Sequence, residues 1–378
     1  MSDRPTVVNA AIVGRRPTGL GVYAVELIRA LARLGERLIV FTSRPDLLAD
    51  TGVETRAAPA ALAPEHGARG HAQRLVWIQT AFRARLRRER PRAILNLMPE
   101  GVLAPAVPQI TVVHDLLPLR YPVEYPRQQY YFRHYVPLVL RHSRAVIAIS
   151  ESTRDDVLRF YPATPASRVH VAISGYNPER FTPGAAAPGR ATPPYALYVG
   201  NVMPHKNLER MVEAFAAATR GTDARLVMRG SGRARNVDAL RARIDALGLG
   251  PRTDWQPYAE ADTLPSLYRR ARVLLLPSLY EGFGLTALEA MACGTPVITS
   301  ATSSMPEVVG DAALLVDPLD TETIAAAMRR IFGDDGLVED LRARGLSRAK
   351  LFSWEATGRA VQTAMREAGA DARVAGAG

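Results

Sequence analysis

Residues 281–289 read Glu-Gly-Phe-Gly-Leu-Thr-Ala-Leu-Glu, two carboxylates eight positions apart around a glycine-bearing turn. The apolar run Val273-Leu274-Leu275-Leu276 before them reads as a buried strand, and Gly294-Thr295-Pro296 after them stops a short helix. A strand therefore ends in a turn that opens a helix. The free N–H groups and positive dipole end of that helix suit a phosphate. At about 1.5 Å per helical residue, Glu289 stands roughly 12 Å from Glu281. Its neighbours are Leu, Ala, Met and Cys, so burial is expected, and a buried carboxylate must find donors. The two hydroxyls of a ribose would serve, and a sugar could offer others to Glu281. The alternative is a Glu289 that caps or pairs inside an ordinary α/β domain.

Four other stretches could contribute. Gly19-Leu20-Gly21-Val22-Tyr23-Ala24, preceded by Thr18, follows a predicted strand, and its glycines let backbone approach a phosphate or sugar closely. It also matches the dinucleotide pattern G-x-G-x-x-A, but the second strand ends Thr42-Ser43-Arg44 with no acid for a ribose, which counts against NAD. His114-Asp115 ends a strand. The His could orient a sugar or share charge near the reacting carbon, with Asp115 orienting it or capping the next turn. Gly200–Asn207 ends the next unit's first strand and carries Lys206 at a helix start, where an ammonium binds a diphosphate as a point charge. Arg229-Gly230-Ser231-Gly232 ends another strand, and Trp255–Tyr258 could wall a base pocket. Ser304-Met305-Pro306-Glu307 reads as a plain helix start.

The elements that must position these residues alternate short apolar runs with amphipathic stretches, as in doubly wound α/β folds. Strands are predicted at 6–13, 37–42, 92–97, 110–113 and 145–149, with helices at 20–34, 73–90, 128–142 and 151–160. A Pro-, Gly- and Ala-rich stretch follows. The pattern restarts with strands at 195–200, 224–229, 273–277, 296–299 and 313–316 and helices at 207–219, 234–247, 261–271, 284–292, 320–332 and 336–349. This gives an N-terminal domain over 1–178, a linker over 179–194 and a C-terminal domain over 195–353. A last helix near 354–368 is expected to pack back on the first domain, before a frayed Ala/Gly tail.

The 378 residues suit two domains, and no apolar run is long enough to span a membrane. The first residues do not read as a signal peptide. Cys293 is the single cysteine, which excludes an internal disulfide and suits the cytoplasm. The net charge of +11 could serve nucleic acid, anionic lipid or phosphorylated ligands. Only Lys206 and Lys350 are lysines among 48 basic residues, which makes Lys206 conspicuous.

Together these stretches resemble the retaining nucleotide-sugar glycosyltransferases of the E-x7-E family, family 4, over about residues 7–355. The resemblance rests on Pro277–Gly284, Glu289–Val297, Gly19–Gly21, His114-Asp115, Ser150–Thr153 and Gly200–Asn207, in that family's order. It implies a GT-B fold, two Rossmann-like doubly wound domains facing across a cleft. It implies catalytic roles for His114, Glu281 and Lys206. Donor-binding roles fall to Gly19, Gly21, Asn201, Lys206, Arg229, Gly282, Phe283, Gly284, Leu285 and Glu289. Glu289 would take the ribose hydroxyls, Glu281 the transferred sugar and Lys206 the leaving diphosphate. Many relatives carry Arg where this chain has Asn201, so the diphosphate would lean harder on Lys206 or Arg229. No D-x-D motif is present, so no metal or other cofactor is expected. In the family's mechanism the departing phosphate takes the acceptor's proton on the same face, which retains the anomeric configuration.

The implied partners are a nucleotide-sugar donor and a saccharide or lipid-linked acceptor bound by the first domain. The general look is that of bacterial mannosyltransferases of surface polysaccharide, which favours GDP-mannose. Residues 74–92 hold seven arginines and one glutamate, with Leu75, Ile78, Phe82 and Leu86 at helical spacing. That stripe reads as core packing or as a face for anionic lipid, placing the enzyme at the inner side of the cell membrane. Tyr121, Tyr125, Tyr130, Tyr131, Phe132 and Tyr135 are core aromatics, an acceptor wall or an interfacial belt. Two other readings stand beside the transferase. One is a GT-B epimerase or sugar phosphorylase, although Lys350 offers no setting for a pyridoxal. The other is a basic nucleic-acid-binding protein, disfavoured because no binding module is recognisable.

Overall fold

The computed structural model describes residues 4–15, 19–184, 192–258 and 262–374. The chain divides into two α/β units, Met1–Gly175 with Ser353–Gly378, and Tyr176–Phe352.

Among the described residues the first unit has seven parallel strands: β1 (Thr6–Asn9), β2 (Leu38–Thr42), β3 (Glu54–Ala57), β4 (Ala93–Asn96), β5 (Gln109–Val113), β6 (Ala145–Ala148) and β7 (Val169–Val171). Their order is β3-β2-β1-β4-β5-β6-β7. β1, β2, β4, β5 and β6 are buried at every position, as expected of a parallel sheet covered on both faces. The second unit has β8 (Tyr195–Val199), β9 (Arg225–Arg229), β10 (Thr253–Gln256), β11 (Val273–Leu276), β12 (Val297–Ser300) and β13 (Leu314–Val316), in the order β10-β9-β8-β11-β12-β13. Chain order reverses between β1 and β4 in one sheet and between β8 and β11 in the other. In open sheets of this kind, ligands bind beyond the strands' carboxyl ends at such a reversal.

The structure departs from the sequence reading in several places. β3, β7 and β10 were not predicted. They are edge strands of three or four residues, and β3 and β10 have no buried position. β1 stops at Asn9, whose Oδ1 accepts from the N–H of Ala11 and turns the chain. The predicted helix 128–142 is two helices, Gln128–His134 and Val136–Arg141, broken before Pro137, which has no N–H to continue the ladder. The predicted helix 73–90 begins at Gly67 and passes through a π-helical turn, Ile78–Phe82, before ending at Glu89.

Along that helix Ile78 and Phe82 are wholly buried and Leu86 nearly so, in one cluster with Phe41 and Trp77. Each such side chain contributes about 1.5–3 kcal/mol by burial. Three of the four stripe residues are therefore core, while Leu75 is half-buried. Arg74 is buried as well, while Arg83, Arg87, Arg88 and Arg90 are exposed. Among the described residues no helix is long and apolar enough to cross a membrane.

The helix Trp354–Val374 belongs to the first unit. Its Gln362 donates to Glu36 Oε1 at 2.8 Å, and Glu36 also pairs with Arg92. Of the predicted linker, 185–191 lie outside the described residues. The stretch Tyr176–Gly184 groups with the second unit. Asn177 Oδ1 accepts from the N–H groups of Glu179 and Arg180, and buried Phe181 packs edge-on to Tyr268 at 6.1 Å.

Candidate functional site

The second unit's reversal point is where its chemistry collects. The loop after β8 and the loop after β11 are stitched together by backbone. Leu279 N–H donates to the His205 carbonyl at 2.7 Å, and Asn207 Nδ2 donates to the Pro277 and Pro318 carbonyls at 3.0 and 2.6 Å. Asn207 sits in the left-handed region, at φ 60°, where Asn is tolerated. This stitching brings Lys206 to Glu281, with Nζ 2.7 Å from Oε1 and 2.9 Å from Oε2.

Glu281 is held on every side. Ser278 Oγ donates to its Oε1 at 2.6 Å, its N–H donates to Ser303 Oγ at 3.0 Å, and Ser304 Oγ donates to its carbonyl at 2.9 Å. Burial alone would raise the Glu281 carboxyl, but Lys206 and the Ser278 hydroxyl bring it below the usual range, so it is ionised. His205 beside it is pushed down to about 4, by burial first and by the Lys206 charge second, so it is neutral at physiological pH. The corner thus holds one fixed cation and one fixed anion.

Gly284 then opens the helix Leu285–Ala292. Its φ is 95°, and a Cβ there would lie 2.6 Å from Met305 Sδ, so both backbone and space demand glycine. Among the described residues nothing accepts from the N–H groups of Phe283, Gly284 and Leu285. Gly282 lies in the same turn, and the Phe283 ring packs edge-on to Phe352 at 6.1 Å.

Glu289 is 8 % exposed and accepts from the Tyr268 hydroxyl at 3.0 Å. Burial pushes its carboxyl up to about 7, against the lowering effects of Tyr268 and the Arg180 charge. With one donor among the described residues, the carboxylate has acceptor capacity for further hydroxyls.

Other predicted donor residues stand elsewhere. Arg229 is not available to a diphosphate. Its guanidinium is buried and donates to the Met228 and Asp254 carbonyls and to Asp254 Oδ2 at 2.7 Å. Gly230 is there for packing, since a Cβ would lie 1.6 Å from the Gly200 carbonyl oxygen. Trp255 Nε1 donates to the Gly230 carbonyl and so braces the same turn. Asn201 is exposed, and its carbonyl accepts from the Tyr198 hydroxyl at 2.7 Å. Ser304, read as a plain helix start, donates to the Glu281 loop instead of capping its own helix.

In the first unit, His114 Nε2 meets the Leu97 carbonyl at 2.9 Å, and Tyr23 packs edge-on to its ring at 4.6 Å. Burial pushes His114 down to about 4, so it is neutral and Nε2 donates to Leu97. It can orient a hydroxyl through Nδ1 but carries no charge to share with a reacting carbon. Asp115 Oδ1 accepts from the Leu117 N–H at 3.1 Å and caps the next turn. Gly19 starts the helix Gly19–Arg33 and Gly21 is buried in its first turn, while Thr18 lies outside the described residues. Arg44, at the end of β2, donates to the Gly14 and Arg15 carbonyls and braces the loop that leads to them. A groove of about 720 Å³, lined by Arg133, Leu138, Arg141 and Phe160 among others, includes none of these residues.

The sequence reading missed Tyr268, Ser278 and Ser303. Ser278 stood inside the quoted motif and could have been found there. Tyr268 lies on the neighbouring helix, and no local signal ties it to Glu289.

Two family profiles match the chain, Glycosyltransferase Family 4 over residues 17–180 and Glycosyl transferases group 1 over residues 186–348. The chain is 34 % identical over 257 residues to the O-antigen chain mannosyltransferase B of Escherichia coli, covering 65 % of this chain and 67 % of that protein. It is 33 % identical over 235 residues to the D-inositol 3-phosphate glycosyltransferase of Rhodococcus jostii, covering 58 % of this chain but only about half, 51 %, of that protein. Among solved structures, the fold is similar to sucrose-phosphate synthase from Thermosynechococcus elongatus, with a TM-score of 0.78 at 23 % identity over 96 % of this chain and 98 % of that one. It is also similar to Anabaena HepE in complex with UDP and glucose, with a TM-score of 0.76 at 17 % identity over 96 % and 100 %.

Proposed function

The chain belongs to glycosyltransferase family 4, with a GT-B fold, and from that premise we propose that it moves a hexosyl unit, with mannose favoured, from a nucleoside diphosphate sugar to a saccharide, lipid-linked or small-molecule acceptor with retention of anomeric configuration. The observation that carries this reading is the corner at the β8/β11 reversal. There the Lys206–Glu281 pair stands at the turn that starts the helix Leu285–Ala292, and that helix carries Glu289.

On this reading the donor is divided among these groups. Ribose hydroxyls donate to Glu289. The diphosphate accepts from the backbone of Phe283, Gly284 and Leu285 and from Lys206. The sugar lies by Glu281, whose carboxylate Lys206 and Ser278 hold in one orientation. Cleavage of the glycosyl–phosphate bond leaves negative charge on the diphosphate, and the donors aimed at it are fixed before the reaction starts. Retention follows if the departing phosphate oxygen accepts the proton of the attacking hydroxyl on the same face of the sugar. Mannose is favoured by the likeness to the E. coli O-antigen chain mannosyltransferase B.

A panel of nucleotide sugars, assayed by released nucleotide with and without glycoside acceptors, tests the reading. One donor, GDP-mannose first, should be turned over. Glu289→Ala should weaken its binding and Lys206→Ala should mainly slow its turnover. Wild-type kinetics in both variants would remove the two assignments.

A further inference from the structure

The first unit has its own reversal point, between β1 and β4, and a polar cluster stands there that donor binding does not use. Glu100 follows β4 and is 3 % exposed. Asn9, the last residue of β1, donates through Nδ2 to the Glu100 carbonyl at 3.3 Å, which closes the reversal point. Arg74 grips the carboxylate with two parallel bonds, Nε to Oε2 at 2.7 Å and Nη2 to Oε1 at 2.9 Å. That bidentate grip already neutralises the buried charge. A third group nonetheless joins it: His71 Nδ1 lies 2.9 Å from Oε1.

Burial alone would raise the Glu100 carboxyl, but hydrogen bonds from His71 and Arg74 bring it below the usual range. Glu100 is therefore an acceptor, and His71 Nδ1 must donate. In the neutral ring this fixes the tautomer and leaves the lone pair on Nε2. The His71 side chain is about one-third exposed (33 %), and among the described residues nothing is bonded to Nε2. Tyr131 packs edge-on to the ring at 4.6 Å and stacks on Tyr135 at 5.4 Å. Both tyrosines donate to the same loop, to the Pro99 and Gly101 carbonyls. The π-helical turn places Gln79 on that loop too, where it donates to Gly101 and accepts from Leu103. Such turns recur at functional sites.

We propose that this cluster is a saccharide-hydroxyl subsite of the acceptor, in which His71, held by Glu100, presents Nε2 to a sugar hydroxyl beside the Tyr131 ring. The inference rests on the transferase reading above and assigns residues to its acceptor. His71 is the contact, and Glu100 and Arg74 are positioning residues. A buried salt bridge that only anchored a helix would need Arg74 and Glu100 alone. It would not need a half-open imidazole with a fixed tautomer at the sheet's reversal point.

The test uses the full chain with methyl glycosides of mannose, glucose and galactose as acceptor probes. The chain has seven histidines, and the Cε1–H signal of His71 is assigned by its loss in His71→Gln. With GDP present, at least one glycoside should move that signal, and GDP alone should not. His71→Phe should raise the acceptor KM by about tenfold to a hundredfold, the effect of one lost hydrogen bond to a polar partner. GDP affinity, donor KM and donor hydrolysis in water should stay within twofold of wild type. His71→Gln, which keeps a donor for Glu100 and an outward acceptor, should recover part of the loss. The inference is overturned if no glycoside moves the His71 signal, or if His71→Phe transfers to a glycoside as wild type does. Failure of the wild-type chain to bind any nucleoside diphosphate or to turn over any donor would instead remove the transferase reading itself.

Discussion

Glu289→Gln separates what this carboxylate costs the fold from what it does for a ligand. The Glu289 carboxyl is raised from 4.5 to about 7 by burial. Each pH unit of such a difference corresponds to about 1.4 kcal/mol, so the ionised carboxylate lowers the stability of the unliganded fold by about 3 kcal/mol above pH 7. The sign follows from proton binding. Below about pH 4.5 the group is neutral both folded and unfolded, and no penalty exists. From there to about 7 the unfolded chain sheds the proton while the folded chain keeps it, so stability falls as pH rises. Above 7 the penalty is constant. Glutamine has the same shape, cannot ionise, and can still accept from the Tyr268 hydroxyl. At pH 8 the variant should therefore unfold later, by roughly 6–12 °C for a unit of this size. The gain should shrink to nothing near pH 4.5. The same variant should bind GDP or UDP about tenfold to a hundredfold more weakly, because hydroxyls donate more strongly to a carboxylate than to an amide. Calorimetric melting across pH 4.5–8 and nucleotide titration measure both arms. A Glu289→Gln chain less stable than wild type at pH 8 would refute the burial argument, and unchanged nucleotide affinity would refute the ribose assignment.

Wild-type nucleotide affinity should itself rise between pH 6 and 8 as Glu289 ionises, and Tyr268→Phe, which removes a donor to the carboxylate, should move that rise to higher pH; titration calorimetry at several pH values reads both. Arg229→Ala should leave nucleotide affinity unchanged within twofold while lowering stability by about 1–3 kcal/mol, because its bonds go to Asp254 and Met228 rather than to the corner. His114→Ala should lower turnover, yet the wild-type pH–rate profile should show no His114 ionisation between pH 5 and 9, since its ring is neutral above about 4. Lys206→Ala should slow turnover by about a hundredfold or more, given that one lost donor to transition-state charge costs that much elsewhere, and a rate within threefold of wild type would refute the assignment.

The main features of both sheets were legible because parallel strands buried on both faces read as continuous apolar runs. Val273–Leu276 is such a run and was placed within a residue of its observed end. Where strands lie at sheet edges that signal is absent. Glu54–Ala57 and Thr253–Gln256 carry charged and polar residues, and their pairing is fixed by the neighbouring strand rather than by their own side chains. Of the candidate site, the strand, turn and helix that carry Glu281 and Glu289 were legible because they are close in sequence. What stayed hidden was pairing at long range. Nothing local says that Lys206 meets Glu281, 75 residues away, or that Arg229 is spent on Asp254. The same holds for His71 and Glu100, 29 residues apart, neither of which the sequence reading singled out.

If the corner holds a donor as proposed, the Lys206–Glu281 pair decides how it works. A lone lysine there would hold a diphosphate tightly before and after transfer, stabilising ground state and product alike, and uniform binding of that kind does not raise turnover. A lysine already paired with a carboxylate at 2.7 Å has less to give an intact donor, whose diphosphate charge is partly tied up in the glycosyl bond. As that bond breaks, charge grows on the leaving oxygen, and the ammonium can shift its weight from Glu281 toward it. Glu281 is then freed electrostatically just as positive charge builds on the sugar carbon. One pair thus answers both developing charges. On this argument Glu281→Gln should bind the nucleoside diphosphate product more tightly than wild type does while turning over more slowly. Equal loss of product binding and of turnover would show instead that Glu281 merely holds Lys206 in place.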